Sequence, residues 1–338
     1  MAEEHYVIIG NGPAANEAAV TLRDHAPEAR VTMIGRERTG YYRPDLLPDF
    51  IADRIPEEQL LVHAPGFYKE RGIKLRIGQE VKSVDFSRRE LKLEHKELVC
   101  FDGLIIAVGA KPRIPEPLQV FEESMLPLKT IVDARTWKEK LARVDSVLII
   151  GGDLTSLSFT KALLSLKKKV SFVIDGECFW PLPFTPDLCR EVTKRLRTRG
   201  VDVIPGSKLK SVVRISEGVI GVETDAGSLE TGAVGAFFGL IPDVKFLVHS
   251  GLPIERGILV DEYLQTPVEG VYAAGDCAQV YHPELRDYWV SVGFGNAKNL
   301  GRVAGLNLIG GRIQAEAAPE SIFQLEGISV NTSWWTEF

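Results

Sequence analysis

One local pattern occurs twice in this chain and constrains its fold more than any other feature. The apolar run Tyr6-Val7-Ile8-Ile9 leads into Gly10-Asn11-Gly12-Pro13-Ala14-Ala15, and a small-residue helix is predicted from about Asn16 to Asp24. Far downstream, Val147-Leu148-Ile149-Ile150 leads into Gly151-Gly152-Asp153, with a helix predicted from about Leu154 to Leu166. Each helix feeds a second apolar strand, Val31-Thr32-Met33-Ile34 in the first unit and Val170-Ser171-Phe172-Val173-Ile174 in the second. A strand, a tight turn, a helix and a strand make a right-handed crossover between parallel strands. Uninterrupted apolar strands belong to sheets covered on both faces. The fold class expected is therefore α/β, with two Rossmann-like three-layer units.

The punctuation between the units suggests an insertion. Lys111-Pro112-Arg113-Ile114-Pro115-Glu116-Pro117 is too rich in proline for a helix or a central strand, and it follows the buried strand Leu104-Ile105-Ile106-Ala107-Val108. A return is expected near Gly239-Leu240-Ile241-Pro242-Asp243, before another buried strand, Val271-Tyr272-Ala273-Ala274, that ends at Gly275-Asp276. The outer domain is read as residues 1–115 and 245–310, the inserted one as 116–244, and 311–338 as a short tail.

Composition narrows the class. With 40 basic and 46 acidic residues the net charge is −6, which argues against a nucleic-acid surface or a polybasic membrane anchor. No run of 18 apolar residues exists to cross a bilayer. The opening Met1-Ala2-Glu3-Glu4-His5 is acidic rather than basic, so the expected location is cytoplasmic. Cys100, Cys178, Cys189 and Cys277 lie far apart and form no CxxC pair, and the six histidines show no ligand spacing, so neither a redox dithiol nor a metal site is readable.

The first turn has the residues a dinucleotide requires. Gly10 permits the sharp turn, Gly12 lets a pyrophosphate approach the backbone, and small Ala15 lets the helix pack closely on the strand. Pro13 opens the helix without losing a useful hydrogen bond. The free N–H groups and the helix dipole then face the anion. Glu37, after the second strand, is the candidate acceptor for ribose hydroxyls.

Together with Tyr41-Tyr42-Arg43-Pro44, the strand before Gly109, Thr266, and Tyr272-Ala273-Ala274-Gly275-Asp276, this unit resembles the pyridine nucleotide–disulfide oxidoreductase superfamily. Within it, the chain is most similar to NADH:rubredoxin oxidoreductases and the flavin domain of nitrite reductases, and the resemblance covers about residues 1–310. It implies that the first unit binds FAD. Asp276 would meet the ribityl or pyrophosphate part, with a helix N-cap as its alternative role. Arg43 and Pro44 would lie near the pyrophosphate or isoalloxazine, Val81 would meet the adenine through its backbone, and Ala107, Gly109 and Arg113 would close over the flavin. The stretch from Trp289 to Asn296 would open a helix at the flavin's pyrimidine edge.

The second motif departs from the family's pattern. In Gly151-Gly152-Asp153-Leu154-Thr155-Ser156-Leu157-Ser158, Asp153 stands where the second fingerprint glycine belongs, Ser156 at the third and Ser158 at the family's glutamate. A carboxylate at Asp153 would repel a pyrophosphate. Gly239 is retained, and Asp175 could take an adenosine ribose and disfavour a 2′-phosphate, so NAD(H) is the second cofactor expected. Cysteine is absent from the Tyr41-Tyr42 segment and Cys277 reads as a small buried residue, so no thiol serves the flavin. The function expected is FAD-dependent electron transfer between NADH and a small carrier such as rubredoxin, ferredoxin or another iron–sulfur protein. The alternative is an FAD-bearing subunit of a larger iron–sulfur complex with a degenerate NAD site. The expected state is a monomer or a heteromeric complex, with no membrane span. The aromatic end, Trp334-Trp335 included, would pack on the chain or anchor a partner. Lys167-Lys168-Lys169 would be a solvated helix end or face an acidic carrier.

Overall fold

The computed structural model describes residues 3–176, 185–291 and 293–316, and the backbone of 322–325, 328–331 and 334–335. Two parallel sheets carry the chain. In the first, the strands lie in the order Val271–Ala273, Gly103–Ile106, His5–Ile9, Arg30–Gly35 and Ile73–Ile77. In the second, the order is Asp202–Pro205, Lys169–Ile174, Ser146–Gly151 and Ala233–Phe237. In both, the strand before the glycine turn sits between the strand that follows its helix and one that arrives much later in sequence. The carboxyl edge at that reversal is where open α/β sheets bind ligands.

The likeness of the halves goes further. A three-stranded antiparallel sheet precedes the late strand in each: Val81–Asp85, Glu90–Leu93 and Leu98–Cys100 in one, Leu209–Ser216, Val219–Thr224 and Gly227–Thr231 in the other. Each late strand then leaves through a glycine at positive φ, Gly109 or Gly239. The segments that follow, Ala110–Pro112 and Leu240–Pro242, pair antiparallel with each other. The proline-rich linker thus opens with a strand, which tolerates Pro112 and Pro242 because a two-stranded ribbon is all edge. It continues as a 3-10 helix, Glu116–Ser124.

The three helices expected are present with shifted ends, and Ile131–Leu141 and Pro186–Thr198 are additions to them. Pro13–His25 starts at Pro13 rather than Asn16, because a proline fits the first helical position. Leu154–Ser165 is close to the expected span. The stretch from Trp289 to Asn296 divides: Trp289 lies in the strand Asp287–Ser291, and the helix Phe294–Leu308 begins only at Phe294. That helix packs along Pro13–His25 at very close range, because a Cβ on Gly301 would lie 2.1 Å from the Ala14 carbonyl oxygen.

Packing does not follow sequence order everywhere. Leu47, Phe50, Ile51 and Leu60 bury their side chains in the core of the second sheet with Trp137, Phe159 and Leu163. Burying each is worth about 1.5–3 kcal/mol, so this segment ties the halves together. The chain's last stretch, read from sequence as a short tail, holds a hairpin of Ile322–Leu325 with Ile328–Asn331. Trp334–Trp335 then pairs antiparallel with Asp287–Ser291 as an edge strand. The side chains of this stretch, and so the partner-anchor reading, lie outside the described residues.

The helix contact gives a graded test. Gly301→Ala should destabilise by about 1–3 kcal/mol through overpacking. Gly305→Ala, whose Cβ would stand 3.1 Å from the Ala18 carbonyl oxygen, should be near neutral, because relief of about 1 kcal/mol of glycine's helix cost offsets the tighter contact. Urea unfolding of the two variants measures the order, and equal costs would refute the close-approach account.

Candidate functional site

The site is built on the two glycine turns. Gly10 has φ +132°, and a Cβ there would lie 2.1 Å from the Ala107 carbonyl oxygen. Only glycine fits so close an approach to the neighbouring strand. Gly12 is the N-cap of the first helix, with φ −83° and ψ −171°, and no side chain caps it. The first helical hydrogen bond runs from Asn16 N–H to the Gly12 carbonyl at 3.0 Å. The leading amides lack intrahelical partners, as in any helix, and a Cβ on the uncapped Gly12 would meet nothing within 4 Å. At Gly275, φ +79°, an added Cβ would lie 3.0 Å from the Ala14 Cβ, so its loop sits close against the first helix. The first cradle therefore has the form of an anion site at a helix N-terminus.

Around it the structure gathers several predicted residues. Asp276 is not a helix N-cap: it lies in the turn between the strand Val271–Ala273 and the strand Ala278–His282. Its carboxylate pairs with the Lys129 ammonium at 3.5 Å. Glu37 accepts a hydrogen bond from the Tyr42 hydroxyl at 2.8 Å, and that hydroxyl accepts the Ile131 N–H at 3.2 Å. Burial and the Glu37 carboxylate push the Tyr42 hydroxyl far above the usual tyrosine range. Both acids are thus tied to residues 129–131, at the start of the helix Ile131–Leu141. Arg43 pairs with Asp45 at 2.5 Å and lies over the Phe294 ring, and Pro44 opens a short 3-10 helix. Val81 and Ala107 are buried, while Arg113 is exposed and donates its backbone N–H to the Gly239 carbonyl.

Two buried polar atoms on this edge, Tyr41 Oη and Gln79 Oε1, have no hydrogen-bond partner. Unpaired buried groups are costly unless a ligand or water meets them. Tyr41 stacks on Phe294, and Gln79 is held beside the end of the second strand by its N–H bond to the Gly35 carbonyl at 3.0 Å. An open helix terminus, a glycine that admits close approach and two orphaned polar atoms fit a dinucleotide such as FAD.

The second cradle has the same backbone and a different occupant. A Cβ on Gly151, φ +108°, would lie 1.8 Å from the Phe237 carbonyl oxygen. Asp153, at φ −72° and ψ 173°, is the N-cap of its helix. Its carboxylate accepts the Ser156 N–H at 2.9 Å and the Gly239 N–H at 3.2 Å. Burial pushes this carboxyl up to about 6, although its backbone N–H donors and Lys129 pull the other way. Buried Ser156 donates its hydroxyl to the Asp153 carbonyl at 2.5 Å. Gly152 N–H donates to the Phe237 carbonyl. Asp175 is exposed at the end of its strand. As built, this cradle does not fit a diphosphate, because its donors already serve a carboxylate.

Cys277 is fully buried against the Ile106 and Ala274 carbonyls, and burial pushes its thiol up to about 11, so it is a packing residue. Cys189 packs in the second core and is disulfide-bonded, and Cys178 lies outside the described residues. The lysine run joins helix to strand: Lys167 turns at φ +58°, Lys168 donates to the Val144 carbonyl at 2.7 Å, and Lys169 opens the strand Lys169–Ile174. Among the described residues no cluster of histidine, cysteine or acids could hold a metal, and no helix is long and apolar enough to cross a membrane. Lys129, Gln79 and the Tyr42 bridge escaped the sequence reading. A signal existed for the first: Lys129 precedes Thr130-Ile131-Val132-Asp133, which forms a capping box.

The pattern of the pyridine nucleotide-disulphide oxidoreductase family matches residues 4–299. The ferredoxin–NAD(+) reductase component of the anthranilate 1,2-dioxygenase system of Burkholderia cepacia is 28% identical over 92% of this chain and 77% of its own. The CoA-dependent NAD(P)H sulfur oxidoreductase of Pyrococcus abyssi is 31% identical over 91% of this chain and 70% of its own. The crystal structure of the covalent putidaredoxin reductase–putidaredoxin complex superposes with a TM-score of 0.90 at 23% identity, over 97% of this chain and 81% of that one, which shows the shared fold.

The buried carboxylate makes a prediction about pH. A carboxyl raised from 3.8 to about 6 binds more protons folded than unfolded between those values, so it withdraws stability as pH rises through that window. Asp153→Asn keeps a cap and removes the charge. Its stability relative to wild type should grow from about pH 4 to pH 6 and then level off, by about 3 kcal/mol in total. Urea midpoints at pH 4, 5, 6 and 8 measure it, and a wild type that gains on the variant with rising pH would contradict the burial argument.

Proposed function

Since the chain belongs to the pyridine nucleotide-disulphide oxidoreductase family of NAD(P)H oxidoreductases, we propose that it is an FAD-dependent enzyme carrying electrons between NADH and a small iron–sulfur protein of ferredoxin or rubredoxin type. The observation that carries the reading is the open first cradle, with its uncapped helix terminus and two orphaned polar atoms. Relatives whose names describe ferredoxin–NAD(+) reduction support the acceptor class.

In this reading the outer domain, 1–115 and 245–310, holds FAD and the insertion, 116–244, serves the nicotinamide nucleotide. Gly10, Gly12, Pro13, Ala14 and Ala15 give the diphosphate a backbone donor set. Val81 and Glu37 serve the adenosine side. Arg43, Pro44, Ala107, Gly109, Arg113, Gly275 and Asp276 line the approach to the ring. Bound flavin supplies the step between a two-electron donor and a one-electron acceptor. The chain orients the ring and excludes water from it. Lys129 neutralises Asp276 there, so a diphosphate does not meet an unpaired carboxylate. Cys277, buried and raised, has no part in thiol chemistry.

The second reading is a flavin-bearing subunit within a larger iron–sulfur assembly, which takes its electrons from a protein. The filled second cradle favours it.

Two measurements test the reading. Anaerobic NADH should bleach the flavin absorbance, and a small iron–sulfur carrier should then reoxidise it. A flavin reduced by dithionite but untouched by NADH would select the subunit reading. Gly12→Asp transplants the second cradle's carboxylate into the first. The position has room for a side chain and ordinary φ, so the variant should fold and be purified colourless. A Gly12→Asp protein with full FAD would show that the flavin is held elsewhere.

A further inference from the structure

The two cradles share their backbone turn and differ, among other side chains, at the cap residue. Gly10 and Gly151 make the same close approach to a neighbouring carbonyl, and the cap residues Gly12 and Asp153 differ by only 11° in φ and 16° in ψ. The first cap leaves its helix terminus open. At the second, Oδ1 of Asp153 takes the Ser156 N–H on the helix and Oδ2 takes the Gly239 N–H on the facing loop. One carboxylate thus links the helix terminus to the turn opposite and occupies amides of the kind that bind anions.

We propose that Asp153 is a resident anion of the second nucleotide cradle, which a nicotinamide nucleotide must displace in order to bind. The proposal rests on the NADH reading above and adds a built-in competitor to it. Three features support it besides the two hydrogen bonds. Asp153 is buried, so its charge is screened little by water. Lys129, the cation whose charge acts on it, is already paired with Asp276. The Ser156 hydroxyl bonds back to the Asp153 carbonyl, and the Thr160 hydroxyl to that of Ser156, so neither is directed to an incoming phosphate. A nucleotide entering this site meets a like charge on the donors it needs. The competitor sets weak affinity for the nucleotide without altering the flavin cradle.

The test is equilibrium dialysis of NAD+ against the FAD-loaded protein in wild-type, Asp153→Gly and Asp153→Asn forms. NAD+ leaves an oxidised flavin unchanged, so the readout is binding alone. Glycine at an N-cap costs a helix little and asparagine caps nearly as well as aspartate, so both variants keep the fold. Asp153→Gly should bind NAD+ at least 10-fold more tightly than wild type, and Asp153→Asn, which keeps the bulk and loses the charge, by a smaller factor. Equal affinity in all three forms would overturn the proposal and leave the NADH reading standing. No binding by any form, with FAD fully loaded, would overturn both.

Discussion

The molecule depends on a contact made twice between a glycine and a backbone carbonyl. At Gly10 and at Gly151 the chain leaves a parallel strand so close to its neighbour that any side chain would overlap a carbonyl oxygen. That contact turns the backbone sharply enough for a helix to start at once over the carboxyl edge. It therefore fixes the parallel order of each sheet and aims two helix N-termini at the places where a ligand would lie. The close seat of Gly301 on Ala14 then locks the last helix against the first and holds the Gly275 loop beside the cradle. Replacing any of these small residues would disturb the site through geometry before chemistry entered.

Once the turn is fixed, what a cradle can accept is decided by the cap residue. Glycine leaves the amides open, whereas aspartate satisfies them from within. The helix dipole and unpaired N–H groups attract an anion in both cases, and the second unit has covalently supplied its own. The carboxylate stays at some cost in burial, which the raised ionisation range of Asp153 records. The same chain therefore shows both outcomes of one electrostatic motif, with glycine at one cap and aspartate at the other.

Much of this was legible in the residues. The repeated apolar run before a glycine turn gave both parallel units, and the Asp153 departure was visible at a fingerprint position. The direction that Asp153 takes was not legible, because it depends on the Gly239 amide arriving from 86 residues away. The alternative role for Asp276, a helix N-cap, could not be decided from the residues, since a strand–turn–strand and a strand–turn–helix share their first residues. The segment of Leu47, Phe50, Ile51 and Leu60 carries no mark of which core it joins. Its partners, Trp137 and Phe159, lie far along the chain, and only tertiary packing selects them. The Tyr42 bridge was hidden for the same reason: one end is local, the other is the Ile131 amide.

The paired strands Ala110–Pro112 and Leu240–Pro242 have a consequence for how such a molecule changes over time. The stretch between them leaves and re-enters at one neck, like a drawer on a single rail. Its length can vary without stretching the outer sheet, because the ends are already held together and longer loops add little entropy. Exchange for a different module is open to the lineage on one condition. The replacement has to bring an apolar wall that fits Leu47, Phe50, Ile51 and Leu60, or that shelf is left facing water.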